Sequence, residues 1–346
     1  MNVDIEVLKK IYMKIGDEES KEIFNNRLMY SISGDSKWIY EIIKFVYGGE
    51  EFLAKLEECS RHGQMVIFGA GVWGRDLFQL TKEYPWKCFV DNNTQMTNFQ
   101  GLPIIKGDKF LKKYNDEYIF ISSRIYYHEI YMQLIKAGIP EFRIINVGKI
   151  LDCLAERQYF DLEYIDFTKE KEIFLDIGAL DGLTSIRLKR KCEKEPYIYI
   201  FEPDRDNIEK YNRNLLRENI KNKIIEKGAW SEETIMQFQE KANGSSCVSN
   251  EGNIIIPMTT IDKELSEKKV TFIKMDIEGS ELQALIGAEN TIKTNKPKMA
   301  VSVYHKPEDI WKLPEIILRY NPSYKLFFRH YSLTDYETVM YALEDV

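Results

Sequence analysis

Between Lys171 and Gly182 the chain reads KEIFLDIGALDG, a short apolar run that ends in an acid and opens onto two glycines across a tight turn. Ile173, Phe174, Leu175 and Ile177 have the near-continuous apolar character of a strand buried on both faces of a parallel sheet. Gly178 and Gly182 let the loop turn tightly and lie against a ligand that a Cβ would obstruct. A second apolar run, 197–201, ends in Glu202, and Pro203 then removes a backbone donor. A carboxylate in that place can accept both hydroxyls of a ribose. The layout is that of a mononucleotide-binding half-sheet, open to a dinucleotide or to S-adenosylmethionine. A dinucleotide needs free helix N-terminal amides for its pyrophosphate. Asp176 at the strand end can instead neutralise an ammonium group, which favours an amino-acid-bearing nucleoside.

A second glycine loop stands earlier in the chain. After the apolar run 65–68, Gly69-Ala70-Gly71-Val72-Trp73-Gly74 has GxGxxG spacing, and Arg75 starts a helix carrying Leu77, Phe78 and Leu80. The next strand, 87–90, ends in Asp91, where a ribose-binding acid should fall. Strand, loop, helix, strand and acid in register indicate a nucleotide fold. Whether the loop holds a ligand or only the scaffold persists stays open, because fold does not fix function.

Three segments carry these motifs. Residues 1–62 read as a helical extension: Asp35 is a plausible N-cap, and Trp38, Ile39, Ile42, Ile43 and Val46 recur on one face before Gly48-Gly49 stops the helix. That stripe is a packing face, with a homo-oligomer contact as its functional alternative. Residues 63–149 form a small Rossmann-like α/β domain, with further strands at 118–122 and 143–146 and a helix at 126–137. Residues 150–346 form the larger unit, with strands at 172–177, 197–202, 223–227, 270–276, 298–304, 324–329 and 337–343. Helices at 183–193, 205–218, 279–289 and 307–319 separate most of these strands, the alternation of a parallel sheet, and the last two strands should close one edge as an antiparallel hairpin. The fold class is therefore α/β, with two Rossmann-like units of which the C-terminal one has seven strands.

Composition excludes several functions. A net charge of -7 over 346 residues, with both signs interspersed, argues against a general nucleic-acid binder. The cysteines at 59, 88, 153, 192 and 247 are an odd number with no CxxC pair, so neither a disulfide framework nor a zinc site is suggested. No apolar run approaches the ~20 residues of a membrane span, and the N-terminal stretch has acids where a signal peptide would be apolar. A cytoplasmic protein is expected.

Six blocks in order are more specific than either glycine loop. FLDIGALDGLTS at 174–185, FEPDRDN at 201–207, KGAWSEE at 227–233, TTIDKEL at 259–265, FIKMDIEGSELQALIGA at 272–288 and MAVSVYHKPEDIWKLPEII at 299–317 together resemble the FkbM family of S-adenosylmethionine-dependent O-methyltransferases. The resemblance covers about 171–343 and implies a seven-stranded methyltransferase fold, S-adenosylmethionine as cofactor, and methyl transfer to hydroxyls of sugars, glycolipids or polyketide-type products. The earlier stretch, through FGAGVWGRDL, FVDNN at 89–93 and FQGLPII at 99–105, resembles small Rossmann-like domains found beside sugar-modifying enzymes. Some of these bind nucleotide sugars, which would place a pyrophosphate on the amides after Gly71, with Gly69, Gly74 and Asp91 completing the site.

On this resemblance Asp176 and the loop Gly178, Ala179 and Gly182 hold the methionine moiety, Glu202 holds the ribose, and Gly228, Ala229 and Trp230 lie where the adenine should rest. Trp230 serves equally well as core packing. Asp276 and Glu278 stand two residues apart on one side of an extended segment at the end of a central strand, a costly arrangement unless they bind something. A substrate hydroxyl, the sulfonium or a divalent cation would satisfy them. Two acids without a clear third ligand assign no metal. His305 ends the neighbouring strand beside Asp276 and is the candidate general base, its unperturbed pKa of ~6.5 suiting proton removal from an alcohol. The acceptor expected is a sugar, nucleotide-sugar or glycan. An NAD-dependent nucleotide-sugar oxidoreductase and a non-catalytic nucleotide-sugar-binding protein are the alternatives.

Overall fold

The structure is a computed structural model that describes residues 4–239, 247–248 and 254–344. The chain forms two compact units that are not contiguous in sequence. One comprises residues 33–158 and 330–336, the other residues up to 32, 159–329 and 337 onward.

The first unit is built on β1 (Met65–Phe68), β2 (Trp86–Val90), β3 (Asn98–Phe99), β4 (Leu102–Ile105), β5 (Tyr118–Ile121) and β6 (Ile144–Ile145). They lie in the order β3-β4-β2-β1-β5-β6, all neighbours parallel except the β3–β4 pair. Val66, Phe68, Val90, Ile119 and Ile121 pack against Ile130 and Leu134 of the helix Tyr127–Lys136, which buries the strand faces as their apolar runs require. The FQGLPII stretch is a hairpin, turned at Gln100 and Gly101, both with positive φ. The helix after Asp35 is shorter than the apolar stripe suggests. It spans Lys37–Ile43, and Gly48, at φ 72°, opens a new helix, Gly49–His62. A Cβ on Gly49 would lie 1.8 Å from the Ile43 carbonyl oxygen, so the glycine pair makes a tight corner between two helices.

The second unit centres on β7 (Ile173–Ile177), β8 (Tyr197–Phe201), β9 (Asn222–Ile225), β10 (Gly228–Ala229), β11 (Thr234–Gln239), β12 (Cys247–Val248), β13 (Ile254–Thr259), β14 (Phe272–Met275), β15 (Lys298–Ser302), β16 (Lys325–His330) and β17 (Thr338–Leu343). Seven of them form a sheet in the order β16-β17-β15-β14-β7-β8-β9. Its five strands from β15 to β9 run parallel, and β17 pairs antiparallel to β15. The chain proceeds outward from β7 through β8 to β9, then returns to β14 on the other side of β7. That reversal opens a crevice at the carboxyl ends of β7 and β14, where ligands of open α/β sheets bind. β10, β13, β11 and β12 make a separate four-stranded sheet that the apolar runs do not announce.

The N-terminal helices Ile5–Met13 and Glu18–Ser33 lie against this unit. Ile15 forms a β-bridge with Leu326, and Arg329 reaches Asp17 at 2.8 Å and Ser20 Oγ at 2.8 Å. Cys59, Cys88, Cys153 and Cys192 are free thiols. The side chain of Cys247 lies outside the described residues. Among the described residues no helix is long and apolar enough to cross a membrane.

Candidate active site

β7 delivers Asp176 and then the glycine loop that opens the helix Leu183–Lys191. Gly178 has φ 81°, and a Cβ there would stand 1.9 Å from the Asp276 carbonyl oxygen. Gly182, at φ 78°, would crowd Tyr211 and Leu215. Both glycines are thus demanded by the close approach of the chain to itself, before any ligand is considered. Ala179 is buried beneath the same turn.

Asp176 is fully buried. Ser185 Oγ donates to its Oδ2 at 2.7 Å, and Lys274 Nζ stands 3.4 Å from Oδ1. Lys274, inside β14, also donates to the Gly178 carbonyl at 2.5 Å. This internal ion pair fastens Asp176 and its loop to the central strand, while Oδ1 has no hydrogen-bond partner. Glu202 is 5% exposed and accepts from the backbone N–H of Leu180 at 3.1 Å and of Asp204 at 3.0 Å. Burial pushes its carboxyl up to about 7, against the lowering effect of those two N–H groups. A desolvated carboxyl beside an open-ended loop fits the two hydroxyl donors of a ribose, whose bonds would offset that desolvation.

Gly228 and Ala229 pair with Met258 and Thr259, and a Cβ on Gly228 would meet the Met258 sulfur at 2.6 Å. Trp230 packs on the Ile256–Met258 cluster, and its backbone N–H donates to the Thr259 carbonyl at 2.8 Å. Its partly buried side chain thus makes core contacts, one of its two expected roles.

On the other side of the crevice, β14 stops at Met275, and the DIEG sequence that follows is a turn in which Glu278 (φ 54°) and Gly279 (φ 89°) are left-handed. The extended segment expected for Asp276 and Glu278 is absent because a strand-to-helix turn begins at once. The turn nevertheless brings both acids to one imidazole: His305 Nε2 is 3.4 Å from Asp276 Oδ1 and 3.8 Å from Glu278 Oε2. A third acid completes the cluster. Glu281, the first residue of the helix Glu281–Ile286, is fully buried and places Oε1 2.9 Å from His305 Nδ1. Tyr159 donates to Asp276 Oδ2 at 2.7 Å, and Ile277 N–H donates to Glu281 Oε1 at 2.8 Å. Burial works against charge on His305, but Glu281, then Asp276 and Glu278, overcome it and raise the imidazole to about 10. The three carboxylates thus favour a protonated ring over the free base with a pKa near ~6.5 that the sequence suggests, for as long as no cation takes the place of that proton. Burial likewise opposes ionisation of Asp276, yet Lys274 and His305 and the Tyr159 hydroxyl hold its carboxyl below the usual range.

Residues 176–329 match the family model of the methyltransferase FkbM domain. The chain carries an FkbM methyltransferase domain. The protein is accordingly an S-adenosylmethionine-dependent methyltransferase. A curated relative, the hexuronic acid methyltransferase AglP of Haloferax volcanii, is 24% identical over 175 residues, which span 49% of this chain and 71% of that one. The crystal structure of an FkbM methyltransferase from Methylobacillus flagellatus KT superposes with a TM-score of 0.50 at 22% identity, covering 85% of this chain and 98% of that one, and supports the fold. Residues 62–145 match a second model, described as C2185-like, N-terminal.

The FkbM domain thus contains the crevice, Glu202, and the Asp276–Glu278–Glu281–His305 cluster. Sequence reading misses Lys274, Glu281 and Tyr159. A lysine inside the apolar run FIKM is a readable signal, and Glu281 stands where the helix after the DIEG turn begins, but nothing in the sequence around Tyr159 marks it.

In the first unit, a cavity of about 480 Å³ is lined by Gly69, Gly71, Trp73, Asn92, Ser123 and Gln133 among others. Gly69 is at φ 119° with Ser122 O 2.8 Å from a would-be Cβ, and Gly74 would meet Gly69 O at 1.9 Å, so both serve the turn itself. Gly71 has nothing within 4 Å of a would-be Cβ. Asp91 also lines this cavity. It accepts from Ala70 N–H at 2.9 Å and from Asn93 and Thr94 N–H at 2.8 Å each. The residue expected to meet a ribose thus also holds the two loops together at the cavity wall.

Proposed function

We propose that the protein methylates a hydroxyl of a sugar, nucleotide-sugar or glycan acceptor in the crevice between β7 and β14. The observation that carries this reading is the cluster of Asp276, Glu278, Glu281 and His305 at the end of β14, across the crevice from the Glu202 loop. The acids and imidazole form a polar wall that can orient a hydroxyl, and AglP, the relative named for a hexuronic acid substrate, supports a carbohydrate acceptor. S-adenosylmethionine supplies a methyl group already attached to a positive sulfur leaving group. The chain then has two tasks. One is alignment, which is worth up to ~7–11 kcal/mol when reacting groups are held in place. The other is acceptance of the hydroxyl proton, which falls to the carboxylates of Asp276 and Glu278, with His305 holding them in position. Glu202 binds the ribose, and the Gly178–Gly182 turn, fixed by Lys274 and Asp176, sets the floor for the methionine moiety.

The first unit, on this reading, binds the nucleoside diphosphate portion of a nucleotide sugar in the cavity beside Gly71. The open space at that glycine supports it. Calorimetry on the purified protein separates the readings: S-adenosylhomocysteine binding with no NADH binding agrees with the proposal, and NADH binding with no S-adenosylhomocysteine binding contradicts it.

A further inference from the structure

The cluster at the end of β14 has more acid than a proton relay needs, and its geometry is incomplete as a hydrogen-bonded network. Glu281 Oε2 is buried without a hydrogen-bond partner, although a bare carboxylate oxygen in such a place carries a full desolvation penalty. His305 has a side chain only 7% exposed, and neither of its ring nitrogens has hydrogen-bond geometry to any group, Glu281 Oε1 at 2.9 Å from Nδ1 included. Asp276, Glu281 and His305 each offer one ligand atom, and these atoms all lie within 4.8 Å of one another. Bonds of ~2.0–2.2 Å to one ion would draw them slightly closer, which short side-chain rotations supply. Both carboxylates already have the outer support that metal ligands show: the Tyr159 hydroxyl on Asp276 Oδ2 at 2.7 Å, and the Ile277 N–H on Glu281 Oε1 at 2.8 Å.

We infer that Asp276, Glu281 and His305 form a binding site for one divalent first-row transition cation of the Mn²⁺ class. Two carboxylate oxygens and one imidazole nitrogen suit such an ion better than Mg²⁺, which prefers an all-oxygen shell. Three protein ligands leave coordination positions open. Glu278, 3.8 Å from His305 Nε2, flanks the site without completing it. The consequence for the reaction rests on the acceptor reading above: an ion here would take hydroxyl oxygens of the acceptor into its open positions and lower the pKa of the one to be methylated. Ion binding itself does not depend on that reading.

The test uses the full chain, freed of metal by chelator and dialysis, and titrated with MnCl₂ while free Mn²⁺ is followed by electron paramagnetic resonance. One bound Mn²⁺ per chain is expected, weakened at least ~10-fold in Glu281→Gln and in His305→Ala. Tyr159→Phe, which removes only outer support, should weaken binding by a smaller factor while the chain melts cooperatively. This second kind of variant keeps the test decisive if loss of a buried ligand prevents folding. Absence of Mn²⁺ binding by the wild type, or binding that all three folded variants retain unchanged, overturns the proposal. Because the readout is metal occupancy, a protein that binds Mn²⁺ but methylates no carbohydrate would sink the acceptor reading and leave the site standing.

Discussion

Replacement of Glu202 by glutamine tests the cofactor side of the crevice on two independent scales. The carboxyl is 5% exposed and burial raises it from 4.5 to about 7. That difference corresponds to ~3 kcal/mol of linkage between proton binding and folding. The folded chain holds this proton more tightly than the unfolded chain, so the group's contribution is fully present below pH 4.5 and is lost as pH rises through about 7. Stability of the ligand-free wild type, measured by urea unfolding from about pH 5 to about pH 8, should therefore fall relative to Glu202→Gln by up to ~3 kcal/mol. The amide of the variant cannot ionise, so its curve lacks this component. On the second scale, the variant loses the charge-assisted bonds to the ribose and should bind S-adenosylhomocysteine more weakly by ~1.5–3 kcal/mol, or ~10- to 100-fold. Parallel stability curves for the two proteins would refute the buried state of the carboxyl. Unchanged affinity in a folded variant would remove Glu202 from the cofactor site.

Other perturbations follow from the same geometry. Asp276→Asn should lower turnover by ~10²- to 10⁴-fold, with S-adenosylhomocysteine affinity nearly intact, because its side chain faces the acceptor; equal losses in both would return it to the cofactor side. Gly178→Ala places a Cβ against the Asp276 carbonyl at a positive φ and should cost more than ~2 kcal/mol in urea unfolding. Gly71→Val meets open space in the extended region and should leave stability within ~1 kcal/mol while abolishing calorimetric binding of a nucleoside diphosphate-sugar. Arg329→Met removes the bonds to Asp17 and Ser20 and should destabilise the docking of the helix Glu18–Ser33 by ~1.5–3 kcal/mol. Burial opposes ionisation of Asp17, yet its bonds from Arg329 and Ser20 hold it below its usual 3.8. Their contribution is therefore present above pH 3.8 and lost as pH falls further, a decline that Arg329→Met should flatten.

Much of the fold is legible because its seven-stranded sheet is buried on both faces. Such strands must be nearly all apolar, and the runs at 173–177, 197–201 and 272–275 show it plainly. The four-stranded sheet is not legible by that signal, because its strands are one-sided: Ile235 and Ile255 face solvent while Ile256 and Met258 are buried. The two glycine loops are readable as turns, but sequence alone assigns their glycines to ligand approach. Close approaches of the folded chain to itself, Asp276 O on Gly178 and Gly69 O on Gly74, are what require those two. Spacing finds the acids. It does not find their partners, since Lys274, Tyr159 and Glu281 reach Asp176, Asp276 and His305 only after the strands are set side by side. The protonation state of His305 depends on three carboxylates from one tight turn and helix start, which no single-residue pKa could anticipate.

The most direct measurement is mass spectrometry of carbohydrate acceptors, including hexuronic-acid glycans and nucleotide sugars, after incubation with the purified protein and methyl-labelled S-adenosylmethionine. One labelled methyl on a sugar oxygen is expected, transferred ~10²- to 10⁴-fold more slowly by Asp276→Asn. Label found on nitrogen, or on none of the carbohydrates while another class of acceptor is methylated, would contradict it.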